Sequence, residues 1–77
     1  MNSKVQKNSP LRRARRKRGL TQFQVAVETE LSVGTIHYIE NGITRNGSNI
    51  KTVADYLGVD MDTVLDWHES IDAENAA

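Results

Sequence analysis

Helix punctuation at short intervals constrains this 77-residue chain more than any other feature. Ser9-Pro10 opens a helix, because a serine oxygen caps free N–H groups and proline is preset for the first helical position. That helix runs from Pro10 to about Arg18, where Gly19 stops it by taking the left-handed conformation. Thr21-Gln22-Phe23-Gln24 spells a capping box and starts a second helix at Gln22, which ends near Thr29. Ser32 caps a third, from Val33 to about Glu40, closed by Asn41-Gly42, and Ile43 to Gly47 reads as a loop. Ser48 starts a fourth that stops at Gly58, and Asp60 caps a fifth from Met61 to about Glu69. No segment reads as a strand, so the expected fold class is all-α, a five-helix bundle with short connections.

Apolar residues recur at helical spacing within each segment. Leu11 with Ala14, Val25 with Ala26, Ile36 with Ile39, and Ile50, Val53, Ala54 and Leu57 are expected to face one core, closed by Leu20 and by Met61, Val64, Leu65 and Trp67. The chain has no cysteine, and His37 and His68 lack ligand-like spacing. Neither a disulfide nor a metal is therefore expected, and no cofactor is implied. Compact helix packing, with or without a dimer, has to supply the stability of so small a domain.

A formal charge of zero conceals a strong asymmetry. Eight of the ten lysines and arginines, and none of the ten acids, lie in residues 1–20. The basic end attracts polyanions; a solvated helix face with an acidic, solubilising tail is the competing reading, and charge alone does not choose between them. Met1 to Leu20 lacks the apolar run of an export signal, and no stretch approaches the ~20 apolar residues of a membrane span. A cytoplasmic protein without membrane attachment is expected. Residues 1–9 read as a flexible basic arm, 10–70 as the folded domain and 71–77 as an acidic disordered tail.

Two short helices joined by a tight turn fit any helical hairpin, and spacing makes the difference. Arg18-Gly19-Leu20-Thr21-Gln22, Val25-Ala26, Ser32, Thr35-Ile36, Ile39-Glu40-Asn41-Gly42 and Leu57-Gly58-Val59 together resemble the lambdoid phage repressor and Cro (XRE-type) helix-turn-helix family. The resemblance covers about residues 10–67, and its most specific element is Ile39-Glu40-Asn41-Gly42, seventeen residues after Gln22.

The resemblance implies a five-helix, lambda-repressor-like domain with its helix-turn-helix at helices 2 and 3, binding double-stranded DNA as a small regulator of transcription. The segment Val33 to Asn41 would enter the major groove, where Val33, Gly34, Thr35, His37 and Tyr38 are the candidates to read bases. Gln22 and Asn41 match phosphate-contacting positions, and Arg45, Ser48, Asn49 and Lys51 would add phosphate contacts with the basic N-terminus. Arg15 matches an arginine that pairs with the glutamate corresponding to Glu40, a structural ion pair. The implied operator is palindromic and the implied assembly a homodimer, at least on DNA, in a bacterial or phage-infected cell.

The chain departs from the family pattern in two places. Glu30 stands where glycine commonly permits the left-handed turn, at a cost of roughly 1 kcal/mol. Phe23 and Val27 occupy usually polar outer positions of helix 2, and serve either as extra core or as a protein-binding patch. Trp67 and Ile71 carry the same ambiguity between monomer core and dimer contact. Alternatives to the regulator are an antitoxin that binds both DNA and a toxin, and an antirepressor or interaction module that has lost DNA binding. An enzyme is not expected, since no nucleophile–base pair, glycine-rich phosphate loop or metal constellation is present.

Overall fold

The computed structural model describes residues 8–76. Most of the proposed basic arm, residues 1–7, lies outside the described residues. Five helices follow in order among them: α1 Pro10–Lys17, α2 Gln22–Thr29, α3 Val33–Glu40, α4 Gly47–Leu57 and α5 Met61–Ala76.

Each start is built from the local chemistry of its cap. Ser9 Oγ accepts from Arg12 N at 3.3 Å, and Ser32 Oγ from Thr35 N at 3.1 Å. Thr21 and Gln24 exchange reciprocal bonds of 3.0 and 2.8 Å, a complete capping box. The fourth start differs from expectation. Asn46, not Ser48, caps α4, its Oδ1 accepting from Asn49 N at 3.1 Å, so the helix begins at Gly47.

The first four helices also stop in one way, with an N–H reaching back five residues: Leu20 to Arg15, Leu31 to Ala26, Ile43 to Tyr38 and Val59 to Ala54. This closure needs a left-handed residue just before the donor. Glycine supplies it three times, at Gly19, Gly42 and Gly58, whereas between α2 and α3 Glu30 adopts φ +61° itself. The turn therefore keeps the standard closure despite the glutamate, with Glu30 strained.

Leu11, Val25, Ile36, Ile39, Val53, Ala54 and Val64 are fully buried in one core, with Leu57, Ile50 and Ala26 at its margin. Against it α1 packs on α3, α4 and α5, and α2 on α3 and α4. Two expectations for α5 need correcting. Leu65 is exposed, because the face formed by Val64, Trp67, His68 and Ile71 is the one turned inward. The helix also continues to Ala76 instead of ending near Glu69, and Ile71, buried one turn beyond Trp67, anchors a stretch read from sequence as disordered tail.

Candidate nucleic-acid interface

Helix α3 is held from behind and open in front. Ile36 and Ile39 fix it to the core, while Val33, Gly34, His37 and Tyr38 are exposed and Thr35 is partly so. Thr35 Oγ1 lies 2.8 Å from Ser32 Oγ, which ties that hydroxyl to the cap. His37 and Tyr38 stand side by side, ring centroids 5.8 Å apart.

The far end of α3 is fastened to α1 and α2 through one carboxylate. Glu40 is 0% exposed. It accepts from Arg15 Nε and Nη2 and from Gln22 Nε2, the last at 3.1 Å, while Arg15 Nη1 donates to Leu20 O at 2.9 Å. Three donors thus converge on the two carboxylate oxygens of Glu40, which satisfies a buried charge that would be costly alone.

Beside this knot lies a recess of about 440 Å³ lined by Arg12, Arg16, Gln22, His37 and Asn41. Arg12 Nη2 donates to Asn41 Oδ1 at 2.6 Å, and Asn41 Nδ2 donates to His37 O at 2.9 Å. Burial pushes the Arg12 guanidinium down from its ordinary value; Glu40 opposes this, and Arg16 and Arg15 add to it.

A sequence profile described as a helix-turn-helix domain matches residues 10–67 of the chain. The chain belongs to that family. No curated protein and no solved structure matched it. In the helix-turn-helix, α2 and α3 are the two helices of the motif and DNA is the partner, a role that is typically non-enzymatic. No helix among the described residues is long and apolar enough to cross a membrane.

Around this helix-turn-helix the remaining candidates have mixed surroundings. Arg45 is bound to Asp72 of α5, and Lys51 to Asp55 one turn along α4 at 3.0 Å. Ser48 is exposed on the first turn of α4, and Asn49 is partly buried beside its cap. Phe23 and Val27 are 66% and 57% exposed and line a groove of about 310 Å³ with Leu20 and Tyr56. Neither belongs to the core among the described residues, and the reading that seats them against the N-terminal arm lies largely outside those residues. Trp67 and Ile71 instead belong to the monomer, packing on Gly42 at the end of α3.

Sequence reasoning missed Arg12, Arg16 and Asp72. Arg12, Arg15 and Arg16 share one face of α1, as i, i+3 and i+4 spacing requires, whereas Arg13 and Lys17 line a separate recess near Gly58 and Asp60. That spacing was readable. Asp72 was findable only by extending the Val64, Trp67/His68, Ile71 periodicity past Glu69.

Proposed function

We propose that the chain is a small transcriptional regulator of the Cro and phage-repressor kind, occupying a double-stranded operator with α3 in the major groove. The observation that carries this is the exposed face of α3, set rigidly on Ile36, Ile39 and Glu40 and ending beside the cationic recess of Arg12 and Arg16.

On this reading Val33, Gly34, Thr35, His37 and Tyr38 face base edges. Valine offers apolar contact to a thymine methyl, and His37 and Tyr38 offer one hydrogen bond each. The set lacks an Arg, Gln or Asn for a bidentate base contact, so DNA shape shares the discrimination. Gln22, Asn41, Arg45, Ser48, Asn49 and Lys51 take phosphates, joined by Arg12 and Arg16. Each phosphate neutralised steepens the logarithmic salt dependence by about 0.9. Two copies on a palindrome, half-sites about one helical turn apart, complete the assembly.

Selection of bound sites from randomised duplex DNA, repeated with Val33→Ala and His37→Ala, tests the assignment. A defined site that relaxes at separate positions in the two variants is expected. An unchanged site would remove these residues from base reading, and no binding to any duplex at low salt would end the DNA-binding reading altogether.

The exposed Phe23 and Val27 favour a second role compatible with the first, a toxin or other protein held on α2. Co-purification of a neighbouring gene product, lost in Phe23→Glu, distinguishes an antitoxin from a free-standing regulator.

A further inference from the structure

Arg45 sits in the connection between α3 and α4, and each of its three guanidinium nitrogens has a partner within the chain. Nε donates to Gly42 O at 3.1 Å, Nη2 to Asp72 Oδ1 at 3.0 Å and Nη1 to Asp72 Oδ2 at 3.4 Å. Asp72 thus meets the guanidinium fork with both oxygens, the same two-acceptor edge that a DNA phosphate presents. The pair spans 27 residues and bridges the end of α3 to the last turns of α5. There Trp67 and Ile71 of α5 already cover Gly42, so the carboxylate is carried to its place by a packed helix.

We infer that Asp72 is an internal phosphate mimic, a latch by which the end of α5 holds Arg45 in the free protein and yields it to the DNA backbone on binding. This rests on the assignment of Arg45 to phosphate made above. Three observations carry it. The side chains of Arg45 and Asp72 are 42% and 62% exposed, so a phosphate can approach the fork without unpacking the core. An ion pair that open to water is weakly held, which makes exchange of one oxyanion for another inexpensive. Finally, Arg45 is anchored to Gly42 O independently of Asp72, so the fork keeps its place when the carboxylate leaves.

The latch predicts that removing the carboxylate strengthens DNA binding. With a mixed-sequence duplex two helical turns long, at low salt, Asp72→Asn is expected to bind about twofold to fivefold more tightly than wild type, the worth of an exposed ion pair. Arg45→Ala is expected to bind more weakly. In the Arg45→Ala background the gain from Asp72→Asn should vanish, because there is no fork left to release. Thermal unfolding of each variant checks that the fold is intact.

A gain that persists in the Arg45→Ala background would show simple repulsion of DNA by Asp72 and overturn the latch. Unchanged or weakened binding by Asp72→Asn, with wild type still binding, would overturn it as well, leaving the DNA-binding reading standing. Failure of wild type to bind any duplex would overturn that reading and the latch with it.

Discussion

Arg15 of α1 and Glu40 of α3, 25 residues apart, meet as a fork on a fork, Nε to Oε2 at 2.5 Å and Nη2 to Oε1 at 3.1 Å. Both side chains are buried, Glu40 entirely. Removing one partner strands the other in a medium that cannot solvate it, so Glu40→Ala should cost about 3–5 kcal/mol. That is a large share of the ~5–15 kcal/mol that holds a small domain together. Urea unfolding checks this, and a loss below about 1 kcal/mol would mean that water reaches the pair. Replacing both partners, Arg15→Met with Glu40→Leu, should recover part of the loss, because neither member of the pair is then stranded, while Arg12, 3.7 Å from Glu40 with its side chain 11% exposed, still loses its carboxylate.

Gly42→Ala and Gly58→Ala should differ although both residues have left-handed backbones, φ +69° and +73°. At Gly58 an added Cβ meets nothing, so only the conformational cost of about 1–2 kcal/mol applies. At Gly42 the same Cβ would lie 2.8 Å from Ile71 Cδ1 and 3.3 Å from the Trp67 ring, both buried. The excess loss of Gly42→Ala over Gly58→Ala therefore measures the packing of α5 on α3. Equal losses would show that Ile71 swings aside freely.

Glu30→Gly should stabilise the protein. Glu30 pays a steric penalty at φ +61° and makes no side-chain contact that offsets it among the hydrogen bonds and ion pairs of the described residues. Relief is expected at about 1 kcal/mol, which in a domain of this size raises the melting temperature by about 4–8 °C. A lower melting temperature would show that the entropy glycine adds to the unfolded chain outweighs the strain.

Acid should weaken the fold in the histidine range. His68 is buried with Nε2 unpartnered, and burial, followed by the nearby charge of Arg45, pushes its pKa below the ordinary 6.5, with Asp72 opposing. The unfolded chain then takes up a proton near pH 6.5 that the folded chain resists, so stability is level above that pH and declines below it. The decline should flatten in His68→Gln, measured by urea unfolding between about pH 7.5 and 5.5, about one unit either side of the ordinary histidine value. Asp72 acts lower: hydrogen bonds from Arg45 hold its carboxyl below the ordinary 3.8, so its contribution is lost only as pH falls beneath that value.

Local chemistry made most of the fold legible, because Ser9, Thr21 and Ser32 each settle a helix start within four residues. The start of α4 was not, since Asn46 and Ser48 are both able caps and only geometry decides between them. The length of α5 was hidden by composition: the acidic residues after Glu69 read as tail, while the burial of Ile71 depends on Gly42, far away in sequence. At the interface the outward residues of α3 followed from helical periodicity around Ile36 and Ile39. The internal partners of Gln22, Asn41 and Arg45 did not, because Glu40, Arg12 and Asp72 reach them from other helices.

Trp67 is the single tryptophan of the chain, and its indole lies over Gly42 where α5 meets the end of α3. Its fluorescence is consequently a native reporter of that junction, needing no label. Emission from the free protein should be that of a shielded indole, and a red shift would register the junction opening before the rest of the fold gives way.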